Sequence, residues 1–133
     1  MILTTKGRYA VMAVIEIADN KGNKPISLQR ISQKQNISLS YLEQIFALLK
    51  KSDIVKSVKG PGGGYSLTKN NQEITVAQII RAIGEPVKMT RCSTESKCTP
   101  AGVKCKTHHL WKGLENNIYD YLESISLEDI CLK

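Results

Sequence analysis

Between two runs rich in β-branched and aromatic residues the sequence places GPGGG (60–64), and this stretch constrains the fold more than any other. Residues 54–59, IVKSVK, have the composition of a strand, and YSLT (65–68) resumes it on the far side. Glycine permits positive φ and a close approach of backbone to backbone, so the chain is expected to double back here as a β-hairpin. A phosphate-binding enzyme loop is excluded. GPGGG lacks the Lys-Ser/Thr of a Walker A loop, and its glycines miss the G-x-G-x-x-G spacing of a dinucleotide site.

What precedes the hairpin gives it a meaning. Ser27 can cap a short helix that turns Leu28 and Ile31 inward, and Asn36 breaks it before a longer helix. In that second helix Leu42, Ile45, Phe46 and Leu49 fall at i, i+3, i+4 and i+7, which buries one stripe. The opposite face offers Ser40, Glu43, Gln44, Ala47, Lys50 and Lys51. Two short helices, the second amphipathic with polar and basic residues outward, follow the helix-turn-helix plan, and a hairpin directly after them reads as a wing. Residues 27–51 are thus expected to form the helix-turn-helix and 54–68 the wing.

Elsewhere Val11, Val14, Ile15 and Ala18 share a face of a first helix, expected to stop between Asn20 and Asn23. Thr75 to Gln78 has capping-box spacing, Val76, Ile79, Ile80 and Ile83 form an apolar face, and Gly84 suits a helix C-terminus. From 107 to 125 Trp111, Leu114, Ile118, Tyr121 and Ile125 are spaced 3, 4, 3, 4, a heptad-like seam suited to a second copy of itself or to its own domain. Ser126 to Asp129 has the spacing of a final capping box, before a helix carrying Cys131 as a buried thiol. The fold class expected is mainly α with a small β-hairpin: one winged helix-turn-helix domain over 1–131, with a long C-terminal dimerisation helix.

The net charge of +7 is unevenly placed. Residues 1–69 hold eleven Lys and Arg against four Asp and Glu, while the remainder is balanced at eight of each. So basic a half suits a polyanion such as DNA or RNA. No enzyme is expected, because the two histidines lie side by side and no serine or acid is paired with them in a recognisable motif. MILTTKGR has no apolar h-region, and YAVMAVIEIA (9–18) is too short to span a bilayer and carries Glu16. A cytoplasmic protein with no membrane association is expected, and its thiols stay reduced.

Residues 91–111, RCSTESKCTPAGVKCKTHHLW, carry three cysteines and two histidines without helical or strand periodicity. Cys92, Cys98, Cys105 and His108 give C-x5-C-x6-C-x2-H. Three thiolates and an imidazole can close a four-ligand shell around zinc or hold an iron-sulfur cluster, and the gaps are loop-sized. From the residues alone this stretch is a metal site whose metal is open. His108 is preferred to His109 because it would lie one helical turn beyond Cys105 if the helix starts there.

LTTKGRYAVMA, ISLSYLEQIFALLKK, VKGPGGGY and the three cysteines, in that order, resemble the IscR family of iron-sulfur cluster regulators over nearly the whole chain. The resemblance implies a dimeric winged-helix repressor and activator. It implies a [2Fe-2S] cluster held by Cys92, Cys98, Cys105 and His108 in a loop over 91–108, delivered by iron-sulfur assembly proteins. It also implies DNA contacts from the second helix and wing: Ser38, Ser40, Tyr41, Glu43, Gln44, Lys50, Lys51, Lys56, Lys59 and Gly60. The sequence departs from the family pattern in a Cys98–Cys105 gap one residue longer, in Lys59 where arginine is typical, and in ending at Lys133 without the longer tail of some relatives.

On this reading a homodimer sets two recognition helices in successive major grooves of double-stranded DNA, about 34 Å apart, so the operator is a pseudo-palindrome. Gln44 can bond adenine edges, Glu43 can accept from cytosine N4, and Ser40 suits bases or phosphate. Ser40 to Glu43 is also a capping-box spacing, which would tie the carboxylate to the helix start instead. Two alternatives stand beside the cluster sensor. One is the same fold with zinc or nitric oxide as effector, although nitric-oxide-sensing cousins lack the histidine ligand. The other, a small thiol oxidoreductase or metal carrier, lacks C-x-x-C and leaves the basic half unexplained.

Overall fold

The computed structural model describes residues 4–20, 24–85 and 106–132. Its elements run α1 (Thr5–Ala18), α2 (Leu28–Gln35), α3 (Leu39–Lys51), β1 (Val55–Val58), β2 (Gly64–Leu67), α4 (Val76–Ala82), α5 (His108–Ser124) and α6 (Leu127–Cys131). Each helix from α1 to α4 begins where a Ser or Thr side chain satisfies a free N–H. Thr4 accepts from Gly7, Ser27 from Arg30, Ser38 from Tyr41 and Thr75 from Gln78. Asn36 ends α2 in the left-handed region at φ 56°, which asparagine tolerates because its short polar side chain bonds locally. That single residue makes the tight turn between α2 and α3.

Leu42, Ile45, Phe46 and Leu49 are fully buried, so the apolar stripe of α3 is the centre of the core. The helix α1 meets it with a different face from the one its larger residues suggest. Gly7, Ala10, Ala13, Val14 and Ile17 are buried, while Val11, Ile15 and Ala18 pack only at the margin. Small residues let helix axes approach closely, and the larger β-branched side chains then fill the rim. The helix also stops at Ala18, with Asp19 as its cap, just short of the expected Asn20.

The hairpin pairs β1 and β2 antiparallel, with Lys56 opposite Ser66 and Val58 opposite Gly64. Close to the turn, its second strand is fastened by a bridge the sequence does not announce. Ile26 N–H donates to Tyr65 O at 3.0 Å, and Tyr65 N–H donates to Ile26 O at 2.9 Å. On the inner side Tyr65 packs its ring against Phe46 at 4.9 Å, so the wing rests on the recognition helix.

Beyond the wing, α4 buries Val76, Ile79, Ile80 and Ile83, and Gly84 at φ +74° closes it. Gly84 N–H donates to Arg81 O and Glu85 N–H to Ile80 O, satisfying carbonyls left free at the helix end. Ser126 and Asp129 form a full capping box at α6, whose Leu127 is fully buried. Leu127 N–H donates to Ile74 O and Val76 N–H to Ile125 O, both at 2.9 Å, so the junction of α5 and α6 is stitched to the start of α4. Among the described residues no helix is long and apolar enough to cross a membrane.

Candidate functional site

The N-terminus of α3 decides which side chains can read a polyanion. The cap is Ser38, whose Oγ accepts from Tyr41 N–H at 3.2 Å, so Ser40 sits inside the first turn and is not the cap. The alternative that Ser40 and Glu43 form a capping box therefore fails. Glu43 and Gln44 are exposed side by side, with Ser40 one turn earlier and Ala47, Lys50 and Lys51 further along. The unpaired N–H groups and positive dipole end of α3 favour phosphate at this terminus. Lys50 and Lys51 occupy the last turn, where the dipole favours cations.

Tyr41 is the exception among the ten candidate DNA contacts. It is half-buried, its ring edge-on to Tyr9 at 5.8 Å, and it joins the rim of the core. That contact sets the start of α1 beside the start of α3. The other nine, Ser38, Ser40, Glu43, Gln44, Lys50, Lys51, Lys56, Lys59 and Gly60, are exposed.

Lys56 projects from β1, and Lys59 and Gly60 lie in the turn, closed by Gly63 N–H donating to Gly60 O at 2.9 Å. Two glycines here are dictated by the backbone. A Cβ on Gly64, which has φ +150°, would stand 2.3 Å from Ile26 O, and one on Gly63 would stand 2.2 Å from Val58 O. The hairpin is tight because it is built of residues with nothing to collide.

Of the candidate metal ligands His108 lies within the described residues, and Cys92, Cys98 and Cys105 lie outside them. His108 is the first residue of α5 and half-buried, its ring edge-on to the exposed His109 at 5.3 Å. The helix α5 begins at His108 with Thr107 as its cap, so the argument from one helical turn does not apply; what separates the two histidines is that His108 is half-buried and His109 exposed. Among the described residues no group of three His, Cys, Asp or Glu is placed to hold a metal ion.

Along α5, Trp111, Ile118 and Ile125 are half-buried, while Leu114 is 38% and Tyr121 63% exposed. Leu110, which the seam omitted, is 60% exposed and extends the apolar stripe. The opposite face docks on α4. There Arg81 lies 5.3 Å from the Tyr119 ring centroid and 3.5 Å from Glu123. Glu115 is buried at 6% exposure on this helix, which sequence reasoning missed because a charged residue between polar neighbours reads as solvent-facing. Cys131 is half-buried; burial foremost, then the charge of Asp19, pushes its thiol above the usual range.

A recognition helix braced from beneath, a glycine-tight wing resting on it, and a basic outward surface define a winged-helix DNA-binding regulator. The profile of the Rrf2 family, described as iron-dependent transcriptional regulator, matches residues 3–133, and the chain belongs to that family. It is 49% identical over 130 residues to the HTH-type transcriptional regulator IscR of Photorhabdus laumondii, covering 98% of this chain and 79% of that one. The same regulator of Pectobacterium atrosepticum is 48% identical with the same coverage. Among solved structures, CymR, the global cysteine regulator of B. subtilis, superposes with a TM-score of 0.81 at 34% identity, over 98% of this chain and 96% of that one. T. potens IscR does so at 0.80 and 34%, over 98% and 85%. These relatives regulate transcription and are not enzymes, and so the class of this chain is set.

Proposed function

We propose that this chain is a cytoplasmic homodimeric transcription regulator that senses iron-sulfur cluster status through a bound [2Fe-2S] cluster and controls genes of iron-sulfur biogenesis. The observation that carries the reading is the donor set. Three thiols and one imidazole follow one another as C-x5-C-x6-C-x2-H, and the imidazole opens the helix whose apolar stripe is suited to a second copy. The chemistry fits the group: thiolates are the usual cluster donors, and histidine replaces cysteine in some clusters. Cys92, Cys98, Cys105 and His108 would hold it. What it supplies when bound is a four-point cross-link whose occupancy follows iron-sulfur supply, with iron-sulfur assembly proteins as donors.

The chain's own residues turn occupancy into DNA affinity. His108 begins α5, so its ligation would fix the first turn, and Arg81 with Tyr119 and Glu123 ties α5 to α4. Backbone bonds at the α5–α6 junction then tie it to the base of the reading head. The spacing of two recognition helices across a dimer is thereby coupled to the start of α5, and ligation shifts that equilibrium only by its differential affinity for the two arrangements. On the operator, Gln44 bonds adenine, Glu43 accepts from cytosine, and Ser38, Ser40, Lys50, Lys51, Lys56, Lys59 and Gly60 engage backbone and groove, while Tyr41 braces the start of the helix against Tyr9. The target is a pseudo-palindrome with half-sites about 34 Å apart.

Zinc suits the same donors, so the metal has to be assayed. Protein purified without oxygen should be coloured, with visible absorbance from thiolate-to-iron charge transfer and equal iron and acid-labile sulfide. Colourless protein that carries zinc, or no metal after attempted reconstitution, would leave a DNA-binding regulator without the cluster.

A further inference from the structure

Beside the hairpin, against Lys56, Ser66 and Leu67, lies a cavity of about 550 Å³. Alternation along the strands puts Lys56 and Ser66 on one face, opposite Ser57 and Tyr65. The remaining walls come from Lys24, Lys69 and the loop over 68–72, the end of α1 and Glu128 of α6. The concavity is part of the fold. Asn71 Nδ2 donates to Ala18 O at 3.1 Å and Glu128 N–H donates to Asn71 O at 3.3 Å, which knits α1, the loop and α6 into one floor.

The lining thus carries three lysines, Lys24, Lys56 and Lys69, and a single carboxylate residue, Glu128. None of the three has a carboxylate partner among the described residues, where the ion pairs join Lys34 to Glu16 and Arg81 to Glu123. Converging like charges repel unless an anion answers them. The volume falls in the range of small-molecule sites. Lys56 lies about 13 Å from the wing tip at 3.3 Å for each strand residue, and it is the one lining lysine that the cavity shares with the DNA-facing set.

We propose that this cavity binds a small phosphate monoester of a hydroxylated molecule. The dianionic phosphate lies against Lys24, Lys56 and Lys69, and Glu128 accepts a hydroxyl hydrogen bond from the organic part. Net lining charge and ligand charge then cancel, and the carboxylate excludes more highly charged anions that offer it no donor.

The test is an NMR titration of the full chain with glycerol 3-phosphate, inorganic phosphate and glycerol, repeated on the double variant Lys24→Gln, Lys69→Gln. Both side chains are exposed, so the variant should unfold at the wild-type midpoint. The expected result is saturable shifts at the amides of 69–72 and 128, with the ester tighter than phosphate, glycerol silent, and the variant about tenfold weaker. Absence of saturable shifts, or equal affinity in the variant, overturns the proposal. So does a short non-operator duplex that shifts these amides while the ester does not, since the lysines are then a nucleic-acid contact.

Discussion

Replacing Gly64 with alanine should damage the wing far more than the same change at Gly60, although both glycines have positive φ. At Gly64 the new Cβ meets Ile26 O at 2.3 Å, Ile26 C at 2.4 Å and Ser27 N at 2.7 Å. All three are backbone atoms, which cannot swing aside as a flexible side chain can. The relief available is to part Tyr65 from Ile26, which gives up the two hydrogen bonds of 3.0 and 2.9 Å that fasten the hairpin. At about 1 kcal/mol for each bond, and about 1 kcal/mol more for the unfavourable φ, the loss is about 3 kcal/mol. At Gly60, φ is +99° and nothing lies within 4 Å, so only the conformational cost of about 1 kcal/mol applies. Urea unfolding of the two variants, analysed with a common slope, measures the difference. Because Tyr65 also packs on Phe46, Gly64→Ala should weaken operator binding as well. A Gly64→Ala variant no less stable than Gly60→Ala would refute the claim that the bridge to Ile26 holds the wing.

Gln44→Ala should cost about 1–3 kcal/mol of operator binding and relax selectivity at one adenine, whereas Lys59→Ala should weaken all sequences alike and lower the salt slope by about 1; equal effects on operator and random DNA for both would contradict the assignment. Tyr121→Asp sets a charge on the stripe of α5, where Tyr121 is 63% exposed, and should convert dimer to monomer in light scattering while leaving the far-UV circular dichroism spectrum of the folded chain unchanged. For Cys131 the sign of the shift is upward, so less thiolate is present at any pH below its pKa and alkylation should be slower than for a free peptide thiol. Mass-resolved iodoacetamide kinetics from pH 7 upward would show the rate still rising at alkaline pH where the peptide's, with a pKa of about 8.5, has levelled.

Much of this fold is legible from local chemistry. The stripe of α3, the caps Ser27, Thr75 and Ser126 and the closing Gly84 depend on residues within a turn of one another, and each does as its spacing indicates. The cap of α3 was ambiguous because Ser-Leu-Ser offers two hydroxyls, and only backbone geometry chooses Ser38. The buried face of α1 escapes sequence reading for another reason. Its apolar residues cover more than one face, and which of them points inward depends on how closely α3 can approach. The Ile26–Tyr65 bridge and the burial of Glu115 are tertiary facts with no local signature. Among site residues, exposure agrees with the reading heads proposed for α3 and the wing, while Tyr41 is drawn toward the core by Tyr9, a partner distant in sequence.

The central claim is that ligation at the cysteine segment is felt by the surface that grips DNA. Operator affinity should be measured without oxygen for the cluster-loaded chain and for Cys92→Ala, Cys98→Ala, Cys105→Ala and His108→Ala, across a set of promoters at one salt concentration. At least one class of promoter should change affinity by about tenfold, alike for all four variants, since a coupling of 1–3 kcal/mol is usual for such linkage. Identical affinities at every promoter would contradict the account.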